Sequence, residues 1–128
     1  MKKLSALILS ALLLAGCGQA REKAPGFQQI SQQEAAELME SSSEALILDV
    51  RTPEEFASGH IPGAINLPNE EIGSQPIPLL PEKDQLLLIY CRSGNRSKQA
   101  ARKLADQGYT NILEFGGINT WEGPVVTD

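Results

Sequence analysis

Two nearly unbroken apolar runs, Ala45-Leu46-Ile47-Leu48-Asp49-Val50 and Leu86-Leu87-Leu88-Ile89-Tyr90, restrict what this chain can fold into more than any other feature. A strand with one face in water alternates apolar and polar side chains; these do not, so both faces must be covered. A parallel sheet held between helices meets that demand. Helix-start signals lie where such an architecture needs them. Ser31-Gln32-Gln33-Glu34 is a capping-box pattern ahead of Ala35, Leu38 and Met39, predicting a helix from about Ser31 to Ser41. Thr52-Pro53-Glu54-Glu55 repeats the logic, with Thr52 as cap, Pro53 in the first helical position, Glu55 reaching back and Gly59 closing the short helix. Ala64 to Leu67 reads as a short strand, Asn69 to Glu82 as a Pro-rich loop with one helical turn, and Asn111 to Phe115 as the last strand. Between them Ala100, Ala101, Leu104 and Ala105 put a small apolar face on the sheet, Lys98 and Arg102 lie on the opposite side, and Gly108 ends that helix.

The second apolar run leads directly into Cys91-Arg92-Ser93-Gly94-Asn95-Arg96-Ser97. A free cysteine at the end of such a strand is often only a small buried hydrophobe. The residues after it argue otherwise. Two arginines, two serines, an asparagine and a glycine continue a core strand poorly, but they suit an anion site. Successive N–H groups in a tight loop, joined to the positive end of a helix dipole, stabilise negative charge at the loop centre, the thiolate's own included. Arg92, Arg96, Lys98, Arg102 and Lys103 fall within residues 91–105, a stretch without Asp or Glu. Covalent chemistry at Cys91 is therefore expected.

The N-terminus reads as a processing signal. Met1-Lys2-Lys3 is a charged start and Leu4 to Leu14 an apolar stretch interrupted by Ser5 and Ser10, shorter than the ~20 residues that span a bilayer. Leu14-Ala15-Gly16-Cys17 resembles a bacterial lipobox, which implies cleavage before Cys17 and lipid on its sulfur. The expected organisation is a signal peptide over residues 1–16, a lipidated Cys17 and tether over 17–26, and one domain over 27–128. Loss of Lys2 and Lys3 leaves nine basic against sixteen acidic side chains, a net charge of −7, which disfavours nucleic acid as a partner. With Cys17 lipidated, Cys91 has no disulfide partner in its own chain, and one free Cys with one His is too few ligands for zinc, so no metal is expected. The anchor places the protein in the cell envelope outside the cytoplasm. In a host with two membranes, Gly18 after the modified cysteine resembles lipoproteins of the outer membrane, facing the periplasm.

Three segments together resemble the rhodanese (thiosulfate sulfurtransferase) family: Leu48 to Phe56 with Gly59-His60-Ile61-Pro62-Gly63-Ala64; the Cys91 loop; and Gly108-Tyr109 with Gly116-Gly117 and Trp121-Glu122-Gly123-Pro124. The resemblance runs from about Phe27 to the end. It implies an α/β fold with a five-stranded parallel sheet flanked by helices on both faces, a persulfide-forming Cys91, and a loop from Arg92 to Ser97 that binds the substrate through Arg92, Ser93, Gly94, Asn95, Arg96 and Ser97. Members are similar to ping-pong catalysts: the thiolate takes the outer sulfur of thiosulfate, sulfite leaves, and the persulfide delivers its sulfur to cyanide or a thiol. No cofactor is implied beyond that covalent persulfide.

A thiolate attacking a dianion needs cations or N–H groups to offset the repulsion, and Arg92 and Arg96 are the candidates; Arg96 can equally clamp loop carbonyls. In this family context Asp49 and Arg51 read as charged partners fixing a turn, His60 as a hydrogen-bonded turn residue and Trp121 as packing beside the site. Two other functions fit the same residues. One is a lipid-tethered persulfide carrier or redox partner without general turnover. The other is a Cys-dependent phosphatase or arsenate reductase, although related phosphatases place five residues between Cys and Arg where Cys91 and Arg96 enclose four.

Overall fold

The computed structural model describes residues 26–128. The expected signal peptide, Cys17 and nearly all of the tether lie outside them. Within them the chain runs β1 (Gln28–Gln29), α1 (Gln32–Ser41), β2 (Leu46–Asp49), α2 (Pro53–Ser58), β3 (Ile65–Asn66), β4 (Leu87–Cys91), α3 (Asn95–Asp106) and β5 (Ile112–Gly117). Short 3₁₀ turns occupy Asn69–Glu71 and Ile118–Thr120. The five strands form one parallel sheet in the order β1-β5-β4-β2-β3.

Both capping boxes form. Ser31 Oγ accepts from the Glu34 N–H while Glu34 accepts from the Ser31 N–H, and Thr52 and Glu55 do the same. β4 is central, and every one of its residues is buried. The period of two in a strand sorts its side chains between two cores. Leu87, Ile89 and Cys91 join Leu48, Val50, Ala100, Ala101, Leu104 and Ile112 on the α3 side, whereas Leu88 and Tyr90 join Ala35, Ile61 and Phe115 on the α1 side. That is why the two runs do not alternate.

The expected strands and helices are present with ends moved by one or two residues. β1 had no counterpart in the sequence reading, because Gln28 and Gln29 carry no apolar pattern. Backbone pairing places them opposite Leu113 and Glu114 at the β5 edge, and the Gln29 amide adds a bond to Glu114.

Candidate active site

A parallel sheet presents the carboxyl ends of its strands together, and the site lies at such an end. Cys91 is the last residue of β4, and α3 begins four residues later. The register between β4 and β5 shifts there, with Ile89 opposite Glu114 but Cys91 opposite Gly117, an irregularity of the sort that re-aims a side chain. The Cys91 thiol is 1% exposed. Gly94 donates its N–H to Sγ at 2.9 Å, and Sγ donates to Ser97 Oγ at 3.4 Å.

Gly94 closes the loop at φ 108°, in the left-handed region, and stands as the N-cap of α3 with no side-chain cap. The first-turn N–H groups of α3 thus lack a capping oxygen and are available to an anion. The opposite wall is set by Gly117: a Cβ built there would lie 2.1 Å from the Arg92 carbonyl oxygen. Only glycine lets β5 pass so close. The same Arg92 carbonyl accepts from the Asn119 N–H at 3.1 Å, tying the loop to the segment after β5.

The loop side chains divide into three groups. Arg92, Ser93 and Asn95 are exposed at the rim. Ser97 is fully buried beneath the thiol. Arg96 points sideways and pairs with Glu55 through two contacts, Nη1 to Oε1 at 2.7 Å and Nη2 to Oε2 at 3.1 Å. It therefore holds α2 rather than the loop carbonyls, and Glu55 serves both as capping acceptor and as counter-ion. The Arg96 hydrogen bond, strengthened by the Thr52 N–H and opposed by burial, draws the Glu55 carboxyl down from 4.5 to about 2. The same hydrogen bond, then the charges of Glu55, Cys91 and Glu70, raise Arg96, with burial opposing.

A carboxylate whose folded pKa is depressed adds stability above its unfolded pKa and loses it as pH falls toward the folded value. In Glu55→Gln the side chain can still accept at the cap, but the ion pair is gone. The stability gap between wild type and E55Q should therefore be full above about pH 4.5 and close as pH falls to about 2. Urea unfolding across that window tests this; parallel stability curves for the two proteins would count against it.

The neighbouring turn is held by Asp49, fully buried, which accepts from the Arg51 N–H at 2.9 Å, from Nε at 3.0 and 3.1 Å and from Nη2 at 2.7 Å. Arg51 Nη2 also donates to the Gly59 carbonyl at 2.6 Å. Burial works against the Arg51 charge, and the Asp49 bonds and charge more than offset it, so its pKa lies above the ordinary value. His60 is a turn residue: Nδ1 meets the Phe56 carbonyl at 2.9 Å, the ring stacks on Phe56 at 3.8 Å, and Nε2 lies 3.3 Å from Asp128. These partners, Phe56 and Asp128, are not part of the Cys91 loop. Trp121 is half-buried against Phe115 and donates to the Pro124 carbonyl at 3.2 Å.

One group at the site was missed. Glu114 is 1% exposed and sits on the Cys91 side of β5, where it accepts from Ser97 Oγ, from the Gly116 N–H at 2.9 Å and from Gln29 at 3.0 Å. A glutamate beside Leu113 and Phe115 reads as an outward-facing residue until the helix above the strand is in place.

Comparison with known proteins agrees with this architecture. The chain is 41% identical over 96 residues to a sulfurtransferase of Allochromatium vinosum, covering 73% of this chain and 86% of the relative. It is 35% identical over 79 residues to the thiosulfate sulfurtransferase PspE of Escherichia coli, covering 62% and 76%. Among solved structures, a rhodanese with anions from E. coli superposes with a TM-score of 0.60 at 33% identity, covering 66% of this chain and 99% of that one. The family model for the Rhodanese-like domain matches residues 31–123. With that match over most of its length, and a sheet order and cysteine loop to go with it, the chain belongs to the rhodanese-like domain family.

Proposed function

We infer that this protein is a thiosulfate sulfurtransferase that carries sulfane sulfur on Cys91 and passes it to cyanide or a thiol. The observation that carries this reading is the seat of Cys91, whose Sγ receives the Gly94 N–H where the uncapped first turn of α3 begins. An attack by the thiolate on the outer sulfur of thiosulfate breaks its S–S bond and releases sulfite, leaving a Cys91 persulfide. Nucleophilic attack on the outer sulfur then frees the thiolate again. The developing negative charge lies where loop N–H groups and the helix dipole point. Arg92, exposed at the rim, is the residue for drawing in the dianion, while Arg96 supplies positive potential from its pair with Glu55. No cofactor is needed. The commitment of Arg96 to Glu55, with only four residues between it and Cys91, supports this reading over phosphate cleavage.

We also propose that Cys17 carries the lipid that holds this domain in the cell envelope, on the strength of the Leu14-Ala15-Gly16-Cys17 match behind the charged Met1-Lys2-Lys3 start and the apolar stretch from Leu4 to Leu14. The soluble domain from Ala20 onward, incubated with thiosulfate, should gain the mass of one sulfur atom on Cys91. It should also turn over repeatedly once cyanide is added. One sulfur gained without turnover would identify a dedicated carrier, and no sulfur gained would overturn the reading.

A further inference from the structure

A thiol that is 1% exposed cannot readily hand its proton to bulk water when it attacks. Its hydrogen-bond environment then decides where the proton goes. Of the two groups bonded to Sγ among the described residues, the Gly94 N–H is a donor and cannot accept. Ser97 Oγ is the acceptor, at 3.4 Å. A hydroxyl has one proton of its own, and that proton faces three acceptors: Glu114 Oε2 at 2.5 Å, the Gly94 carbonyl at 3.0 Å and the Gly116 carbonyl at 3.5 Å. The nearest, a carboxylate, takes it. With its hydrogen turned to Glu114, Ser97 presents lone pairs to Cys91. A directed chain results, from Sγ–H to Ser97 Oγ and from Ser97 O–H to Glu114.

Glu114 has no other role in the site described above. Its remaining partners are neutral donors, the Gly116 N–H and the Gln29 amide, and among the described residues that line its groove the other charged one is Lys98 of α3, which is exposed. α1 and its N-cap contribute Gln32 and Ser31 to that groove, and the loop contributes Ser93 and Gly94, all uncharged. Of the two loop arginines beside Cys91, Arg92 is exposed at the rim and Arg96 is bound to Glu55.

We propose that Glu114 is a positioning residue for Cys91 that receives the thiol proton through Ser97, so that the two acids share one proton inside the folded protein. The proposal rests on Cys91 being the sulfur-carrying nucleophile. When Sγ attacks, the Sγ–H bond breaks as a new Ser97 O–H bond forms, and the original Ser97 O–H bond breaks as Glu114 Oε2 gains a proton. Sγ keeps the electron pair and bonds to the outer sulfur of thiosulfate, while the pair of the breaking S–S bond leaves with sulfite. After the acceptor removes the sulfur, the proton returns to Sγ along the same path.

A shared internal proton leaves a kinetic signature. The fraction of protein with Cys91 ionised and Glu114 protonated does not depend on pH while the pair holds one proton. Alkylation of Cys91 by iodoacetamide, followed by mass spectrometry from pH 5.5 to 9, should show a flat limb in the wild type. In Glu114→Gln, which keeps size and can still accept from Ser97, the limb should vanish. The rate should then rise about tenfold per pH unit and, at the acid end, fall on the order of tenfold or more below wild type. Ser97→Ala, which keeps the carboxylate but cuts the path, should also lower the flat limb. If Glu114 were merely a buried negative charge near the sulfur, its removal would favour the thiolate, and E114Q would react faster than wild type at low pH. That result, or a wild-type profile of the same slope as E114Q, overturns the proposal. Because alkylation needs no sulfur donor, it decides the matter whether or not thiosulfate leaves a persulfide.

Discussion

Cys91→Ser should lower thiosulfate-to-cyanide sulfur transfer to the uncatalysed background, a loss at least on the order of 10⁴-fold, as when the nucleophile of a covalent catalyst is removed. The substitution exchanges one atom. A serine hydroxyl fits the same space and can use both existing partners, accepting from the Gly94 N–H and donating to Ser97 Oγ. Folding should therefore survive, and an unchanged circular dichroism spectrum with an unfolding free energy in urea within about 1 kcal/mol of wild type would show it. What is lost is a polarisable sulfur nucleophile, far more acidic than a hydroxyl, that can hold a second sulfur. Measurable turnover in the Ser variant would mean that another group carries the sulfur.

Asp49→Ala should be the most damaging substitution outside the loop, at about 3–5 kcal/mol of stability in urea at neutral pH. Removal of the carboxylate strands a guanidinium that is 5% exposed and deletes the acceptor of the Arg51 backbone N–H as well. Among the described residues the Gly59 carbonyl is the side-chain hydrogen-bond acceptor left to Arg51, beside the Tyr90 ring. For a domain whose total stability falls in the usual range of about 5–15 kcal/mol, that loss brings it close to unfolding. Pairing it with Arg51→Leu should recover much of the stability, because no buried charge is then left unpaired. A loss below about 1 kcal/mol in the single variant would show that Arg51 reaches water by another route.

Local signals carried most of this fold. Ser31-Gln32-Gln33-Glu34 and Thr52-Pro53-Glu54-Glu55 start helices through contacts three residues apart, so the chemistry is written in adjacent letters. The runs ending at Val50 and Tyr90 announce two buried faces by their refusal to alternate. What was hidden depends on residues far apart in the chain. Arg96 and Glu55 are separated by 41 residues, and nothing in either neighbourhood names the other. Ser97 and Glu114 are 17 apart and meet only because β5 lies beside β4 in a shifted register under α3. β1 is invisible for a different reason: two glutamines at a sheet edge pair through their backbones, which leaves no mark on apolar pattern, and the Gln29 amide reaches Glu114 85 residues away.

The closeness of Gly117 to the Arg92 carbonyl bears on how such a site could be re-engineered. The ring around Cys91 is clamped at both ends, by β4 before it and by α3 after it, and its outer edge rests directly on the backbone of β5. An extra residue placed between Cys91 and Arg96 to widen the ring for a larger oxyanion would have to push Arg92 toward Gly117, where even one methyl group does not fit. Ring size is thus a property of two distant segments held in common, and a graft of residues 91–97 into another scaffold should keep the geometry of the ring only if residues 114–119 travel with it.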